Sequence, residues 1–197
     1  MQARAAGVDR TRLRILRAAY ALWLEHDYDA VSLDQVAAKA GVSKQTLIRQ
    51  FGGKDRLAVA TVDWQRTLEE GARVVEPGDL RGAVSTLLGR YERMGDANVR
   101  VLALEHRVPA IRYLLESSRK SHRGWVERVF APYLPSQKGA AYRQKVTAFY
   151  VATEVMNWKL LRRDLGMSRA DTHAVFMALV TALAHSPSDR TTSRGEP

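Results

Sequence analysis

Val31-Ser32-Leu33-Asp34-Gln35-Val36-Ala37-Ala38-Lys39-Ala40-Gly41-Val42-Ser43-Lys44-Gln45-Thr46-Leu47, closed by Phe51 and followed by Lys54-Asp55-Arg56-Leu57, decides how the chain reads. Ser32 can cap a helix while Gln35 reaches back to the cap, the spacing of a capping box. Gly41 permits the left-handed conformation that closes a helix end, and Ser43 can cap a third helix, Ser43 to Phe51. Gly52-Gly53 ends that helix, and a long fourth one runs from about Lys54 towards Ala72. Two short helices joined by a three-residue turn need small residues where they touch. Ala37, Ala40 and Gly41 supply them, and Val36, Val42, Leu47 and Phe51 fill the space between, which is helix-turn-helix spacing. A helix turns about 100° per residue, so with Leu47 inward, Ser43, Lys44, Gln50 and Phe51 lie within about 60° of it, while Gln45 and Arg49 point the other way. Gln and Arg make bidentate hydrogen bonds to adenine and guanine edges in the major groove, and Thr46 and Ile48 offer a methyl and an apolar group for a thymine methyl. Lys44, Lys54 and Arg56 bracket this face as phosphate contacts. On spacing alone, a helical hairpin with a solvated basic face fits as well.

Outward from this stretch, charge favours an anionic partner. The chain carries 31 Lys and Arg against 21 Asp and Glu, a net charge of +10, which suits nucleic acid or a membrane surface. Most of the excess is spread out, but between Gln35 and Arg56 five basic residues face only Asp55. At 197 residues the chain is one domain, or a small one joined to a larger one, with enough apolar residues for a real core. It has no Cys, which removes disulfides, thiolate metal sites and Cys nucleophiles together. The strongest apolar run, Ala174 to Ala184, falls short of the ~20 residues that cross a bilayer. The Arg-rich start, with Arg4, Arg10, Arg12, Arg14 and Arg17, lacks the apolar run of a signal peptide, so the expected location is cytoplasmic.

Almost every segment shows helical spacing and none shows sustained strand alternation, so the expectation is an all-α protein of about nine helices. Leu13, Leu16, Tyr20 and Trp23 form the stripe of a first helix, which stops at His26-Asp27-Tyr28-Asp29. Beyond the break at Glu76-Pro77-Gly78-Asp79, helices are expected at about 80–94, 98–107, 109–133, 139–163 and 168–184, with breaks at Gly95-Asp96, Pro109, Pro132 to Gly139, and Gly166-Met167. The tail from Ser186 to Pro197 is polar and expected to be disordered.

The quoted run closely resembles the N-terminal DNA-binding domain of TetR/AcrR-type transcriptional repressors, over about fifty residues from Arg10 to Val59. The capped helix, the Ala-Gly-Val-Ser turn and the Lys-acidic-x-Leu opening of the fourth helix occur in order at the right separations. The resemblance implies that Lys44, Gln45, Thr46 and Arg49 fall where the family reads bases, and Ser32 and Lys54 where it holds phosphates. Ile48 and Gln50, which complete the candidate DNA-binding residues, depart from the family's pattern, which usually carries Tyr and then Tyr or His there. Aromatic phosphate contacts are therefore not implied, and more of the affinity falls to Arg49. Asp27 stands where the family often has Gly, a position Asp tolerates because it visits left-handed conformations more readily than most residues.

The resemblance further implies an organisation: an N-terminal arm and helix-turn-helix domain over 1–59, and a helical domain over 60–185 that binds a small-molecule effector and dimerises. The protein would then be a ligand-responsive repressor reading a palindromic operator as a homodimer. Independent of the family, the last helix is apolar nearly all round, where an edge helix should show a polar face. Its Val175, Phe176, Leu179, Val180 and Leu183, with Val155 and Leu160 from the preceding helix, are candidate dimer contacts, although two central core helices would read alike. Trp64, Tyr91, Met94, Leu102, Tyr113, Trp125, Tyr150 and Trp158 are candidate effector-pocket walls, with Glu154 as a polar group, although aromatic and Met residues at helical spacing are usually core.

Enzyme readings find no support. The sequence holds no Gly-rich phosphate loop, no Gly-x-Ser-x-Gly elbow, no His-Glu-x-x-His, and its five His lack metal-ligand spacing. Neither a cofactor nor a metal is expected. Two alternatives differ in kind from a ligand-responsive repressor: a DNA-binding regulator whose C-terminal domain only dimerises, and a basic helical module for membrane or RNA.

Overall fold

The structure, a computed structural model, describes residues 2–186, so the expectation for the tail lies, from residue 187 on, outside the described residues. Helices account for the ordered elements and no strand occurs among the described residues, as the absence of strand alternation requires. In chain order they are α1 (Gln2–Glu25), α2 (Leu33–Ala40), α3 (Lys44–Phe51), α4 (Lys54–Ala72), α5 (Leu80–Leu102), α6 (Pro109–Val129), a 3-10 turn (Ala131–Tyr133), α7 (Ala140–Ala152), α8 (Val155–Lys159) running into a π turn (Leu160–Asp164), and α9 (Arg169–His185).

Two breaks differ most from the sequence reading. Gly95 and Asp96 do not interrupt α5, which runs unbroken to Leu102. A single helical Gly costs only about 1 kcal/mol against Ala, and Gly95 is buried within the helix. Conversely, the helix expected over 139–163 breaks at Thr153 and Glu154, where there is neither Gly nor Pro. Glu154 leaves the helical conformation, with φ −73° and ψ 147°, and caps the helix that follows. The Thr153 hydroxyl donates to Phe149 O at 2.7 Å, and the Glu154 carboxylate accepts from its neighbour's amide, Val155 N, at 3.2 Å to cap α8.

The chain forms two compact units. The first comprises residues 1–74 and 94–118, the second 75–93 and 119–197. In the first, Ile15, Leu16 and Ala19 of α1, Val31, Val36 and Ala37 around α2, Leu47 and Phe51 of α3, and Leu57 of α4 form one buried cluster. Fully burying an aliphatic side chain such as Leu47 stabilises by about 1.5–3 kcal/mol. A second cluster of the same unit gathers Ala58 with Leu104, Ile111, Leu114 and Leu115, flanked by Trp23 and Tyr28. In the second unit, Trp125, Phe130, Phe149, Trp158, Phe176 and Val180 are buried to within 2% of full burial. Phe130 and Phe149 stack there, with ring centroids 4.2 Å apart.

Candidate nucleic-acid interface

Local chemistry builds the helix pair α2–α3. The Ser32 hydroxyl accepts from Gln35 N at 3.2 Å, and the Gln35 carbonyl oxygen accepts from Ser32 N at 2.7 Å, completing the expected capping box. At the far end Gly41 takes φ 64°. Its amide reaches Ala38 O at 3.1 Å, while that of Val42 reaches Ala37 O at 3.0 Å. This paired closure satisfies two orphan carbonyls and needs a left-handed residue where Gly41 stands. Two residues later the Ser43 hydroxyl accepts from Thr46 N at 3.2 Å and starts α3.

This turn fixes the azimuth of α3. Leu47 and Phe51 are buried, and Lys44, Gln45, Ile48 and Arg49 are exposed. Gln45 and Arg49 thus project together, one helical turn apart, away from the core. Ile48 stands 42% exposed beside them. Thr46 is half-buried and its hydroxyl is shared with that of Ser43 at 2.9 Å. Gln50 is half-buried, and its carbonyl oxygen is buried with no hydrogen-bond partner. The exposed set combines a bidentate amide, a bidentate guanidinium and an apolar contact, the chemistry that distinguishes base pairs in the major groove.

Two expected phosphate contacts are already engaged within the protein. The Lys44 ammonium lies 2.8 Å from a carboxylate oxygen of Asp34 on α2. Lys54, at the start of α4, holds its ammonium 4.4 Å from the centre of the Tyr28 ring and donates to Asp29 O at 3.4 Å. Burial pulls its pKa below the ordinary lysine value, against the opposing pull of Asp29 and Asp55. Tyr28 in turn donates its hydroxyl to Asp55. Burial first, and that bond second, raise its pKa. Sequence reasoning missed Asp34 and Tyr28, because partners ten or more residues away leave no periodic signature. It also missed Arg12, whose guanidinium lies 4.6 Å over the Phe51 ring at the end of α3.

The candidate effector residues divide between the units. Tyr91, Trp125, Tyr150, Glu154 and Trp158 belong to the second; Trp64, Met94, Leu102 and Tyr113 to the first. Tyr113 is 62% exposed and encloses nothing, and Trp64 packs against the helix-turn-helix core, edge-on to Tyr20 at 6.1 Å. Those of the second unit surround the α7–α8 break. Tyr91 donates to Thr153 O at 2.7 Å, and His122 Nε2 lies 3.0 Å from the Thr153 hydroxyl. The His122 ring stacks on Trp125 and meets Tyr150 edge-on. Trp158 donates to Glu92 at 2.9 Å. Burial, and then its bond to Glu154, raise the pKa of Tyr150. Sequence reasoning named neither His122 nor Thr153 for this site.

Of the candidate dimer contacts, Val155, Phe176 and Val180 are buried within the protomer's own second unit and cannot face a partner. They are the inward side of α8 and α9, and the all-round apolar character of α9 supplies both sides. Val175 and Leu183 are half-buried, while Leu160 and Leu179 stand 47% and 41% exposed. Leu179, Ala182 and Leu183 of α9 line an open groove of about 760 Å³ with Ala148 and Val151 of α7.

No helix among the described residues is long and apolar enough to cross a membrane. Residues 15–61 match the family model of the bacterial regulatory proteins of the tetR family. Several solved structures share the fold. A transcriptional regulator from Rhodococcus sp. Rha1 superposes with a TM-score of 0.70 at 14% identity, over 87% of this chain and 95% of its own. A tetR-family transcriptional regulator from Streptomyces coelicolor gives 0.67 at 23% identity, over 87% and 81%. A flavonoid-responsive regulator, FrrA, gives 0.58 at 23% identity, over 89% and 95%. Among curated proteins none matches the sequence.

Proposed function

We propose that this chain, which carries the N-terminal domain of the tetR family of bacterial regulatory proteins over residues 15–61, is a transcriptional repressor that reads a palindromic operator as a homodimer. The observation that carries the reading is the outward pair Gln45 and Arg49 on a helix whose opposite side, Leu47 and Phe51, is locked into the core. A base-reading helix needs this division, because only a fixed inner face holds the outer one in register with base edges. Lys44, Thr46 and Ile48 extend the reading face, with Ser32 and Lys54 at its margin as backbone contacts. Gln50, expected at the same face, is half-buried with its side-chain oxygen turned inward, and it is left out of this reading.

Two copies meet through the exposed apolar surface of α7 to α9, with Leu160, Val175, Leu179 and Leu183 at the contact. An isologous interface of this kind repeats the reading helix with two-fold symmetry, which a palindrome mirrors. Selection of bound sequences from a random DNA pool tests the whole reading. An inverted repeat is the expected result, and enrichment without a repeat would refute the dimeric operator.

For effector control, the residues around the α7–α8 break of the second unit are the site we favour: Tyr91, Trp125, Tyr150, Glu154 and Trp158. They combine aromatic walls with a carboxylate, and FrrA, which shares the fold, is flavonoid-responsive. One observation favours the second reading, a dimeric regulator without a ligand. Tyr91, His122, Thr153, Tyr150 and Glu154 already bond one another, so a ligand has to exchange those bonds for its own. Thermal-shift screening of aromatic and anionic metabolites separates the two. A hit that also weakens operator binding supports control, and a saturating hit that leaves operator affinity unchanged excludes it for that compound.

A further inference from the structure

We infer that Arg100 and Arg107 are positioning residues for DNA reading, acting through the loop between α1 and α2; the inference rests on the proposed reading of DNA by α3. The loop is His26 to Ala30, and only Ala30 and the buried Val31 separate Asp29 from the N-cap Ser32. The backbone path at Asp29 therefore sets where α2 begins, and α3 follows α2 through the fixed Gly41 turn.

Within the first unit the loop is tied from two directions. From α4, Lys54 donates to Asp29 O and covers the Tyr28 ring, and Asp55 accepts from the Tyr28 hydroxyl. From the stretch that ends α5 and leads into α6 come two arginines. Arg100 donates to Leu24 O at 2.6 Å, one of the last carbonyls of α1, and its Nε lies 3.4 Å from the Asp27 carboxylate. Arg107 pairs with the Asp29 carboxylate. The last carbonyls of a helix have no partner within it, and a guanidinium fork can serve a carbonyl and a carboxylate at once where an ammonium serves one point. Arg100 is the stronger tie through its part-buried bond to Leu24 O. Its Nε makes no hydrogen bond and Asp27 is 74% exposed, so that pair, like the Arg107–Asp29 pair with both members 61% exposed, contributes little singly.

Leu104, Ile111, Leu114 and Leu115 already fasten this stretch to Trp23 and Tyr28. Apolar contact is non-directional, so it attaches the segment without fixing its register on the loop. The two arginines supply the directional contacts. The DNA-reading unit therefore extends beyond its first four helices to the 100–107 stretch, and Arg100 and Arg107 act on base preference without touching DNA.

The test uses the full chain in four variants: Arg100→Met, Arg100→Lys, Arg107→Asp, and Arg107→Asp with Asp29→Arg. Hydrogen–deuterium exchange without DNA reads the tie itself. Arg100→Met should speed exchange over residues 26–40 by about tenfold, Arg107→Asp by a few fold, and the swapped pair should return towards wild type, with α9 unchanged throughout. Affinity for a selected operator and a scrambled duplex reads the consequence. Arg100→Met should cut the ratio of the two affinities by roughly 3- to 10-fold while scrambled binding changes by less than about twofold. Arg100→Lys keeps the charge and most of the stem, protects the fold, and should move the same quantities the same way by less. Unchanged exchange over 26–40, or an unchanged ratio, overturns the inference. If wild type itself prefers no sequence, the DNA-reading proposal fails with it; if wild type discriminates and the variants do so equally well, the inference alone fails.

Discussion

The ammonium of Lys44 on α3 sits 2.8 Å from the carboxylate of Asp34 on α2, across the turn that joins them. A cation at the edge of the proposed reading face is thus partly neutralised within the protein. Both side chains are more than half exposed, so the pair adds well under 1 kcal/mol to folding. Asp34→Asn should leave the melting temperature almost unchanged. It should strengthen binding to scrambled duplex severalfold at low salt and steepen the salt dependence by up to about one counterion. Fluorescence anisotropy at three salt concentrations checks this, and equal slopes for the two proteins would show that Lys44 stays away from phosphate.

Arg49 is exposed on α3 beside Gln45. Arg49→Ala should cost about 1–3 kcal/mol on the preferred site and broaden base preference at one position of each half-site. Gel-shift titration on the preferred duplex and its single-base variants measures both effects. If affinity and preference survive the substitution, another face of α3 must meet the groove.

Leu179 and Val180 are neighbours in sequence with opposite fates, 41% exposed and fully buried. Leu179→Glu should yield a folded monomer, because the charge reaches water once the partner leaves. Val180→Glu should unfold the chain, since an unpaired buried carboxylate costs several kcal/mol. Sedimentation velocity and circular dichroism separate these outcomes. A dimer persisting in Leu179→Glu would place the interface on another surface.

Glu92 accepts from Arg162 Nε at 2.8 Å and from the Trp158 indole at 2.9 Å. The bond to Arg162 chiefly holds its carboxyl below the ordinary carboxylate range, against the opposing effect of burial. A carboxylate whose pKa is depressed by folding contributes stability above its unfolded pKa and loses it as pH falls through the folded value. Glu92→Gln should therefore cost roughly 1–2 kcal/mol near neutral pH. The gap to wild type should close as the solution is acidified below the usual glutamate range. Urea titrations at a series of pH values would reveal a gap that stays constant, which would mean the charge on Glu92 is immaterial.

What could be read from the sequence follows the range of the interactions involved. The capped helices and the Gly41 turn were legible because Ser32 with Gln35, and Gly41 with Ala37 and Ala38, act within five residues. The exposure of Gln45 and Arg49 followed from helical periodicity once Leu47 was taken as inward. The break at Thr153 was illegible because it carries neither Gly nor Pro, and Glu154 caps α8 through a contact with the adjacent amide that leaves no pattern in the sequence. Composition shows that α9 is apolar all round, but not which side the protomer itself consumes: Phe176 and Val180 are buried and Leu179 is exposed. Lys54 read as a phosphate contact, and only the fold brings Tyr28 and Asp29 against it, from twenty-five or more residues away.

The alternation along α3 also bears on how such a protein changes over generations. Leu47 and Phe51 lock the helix in place, whereas Gln45, Ile48 and Arg49 contribute little to the core. Substitutions at surface positions of this kind usually shift stability by no more than about 0.5 kcal/mol. The three outward positions can therefore change with little effect on the fold, and, if α3 reads bases as proposed, a lineage can alter its base preference there. The inward pair has no such freedom, so inheritance should hold it fixed while the operator wanders.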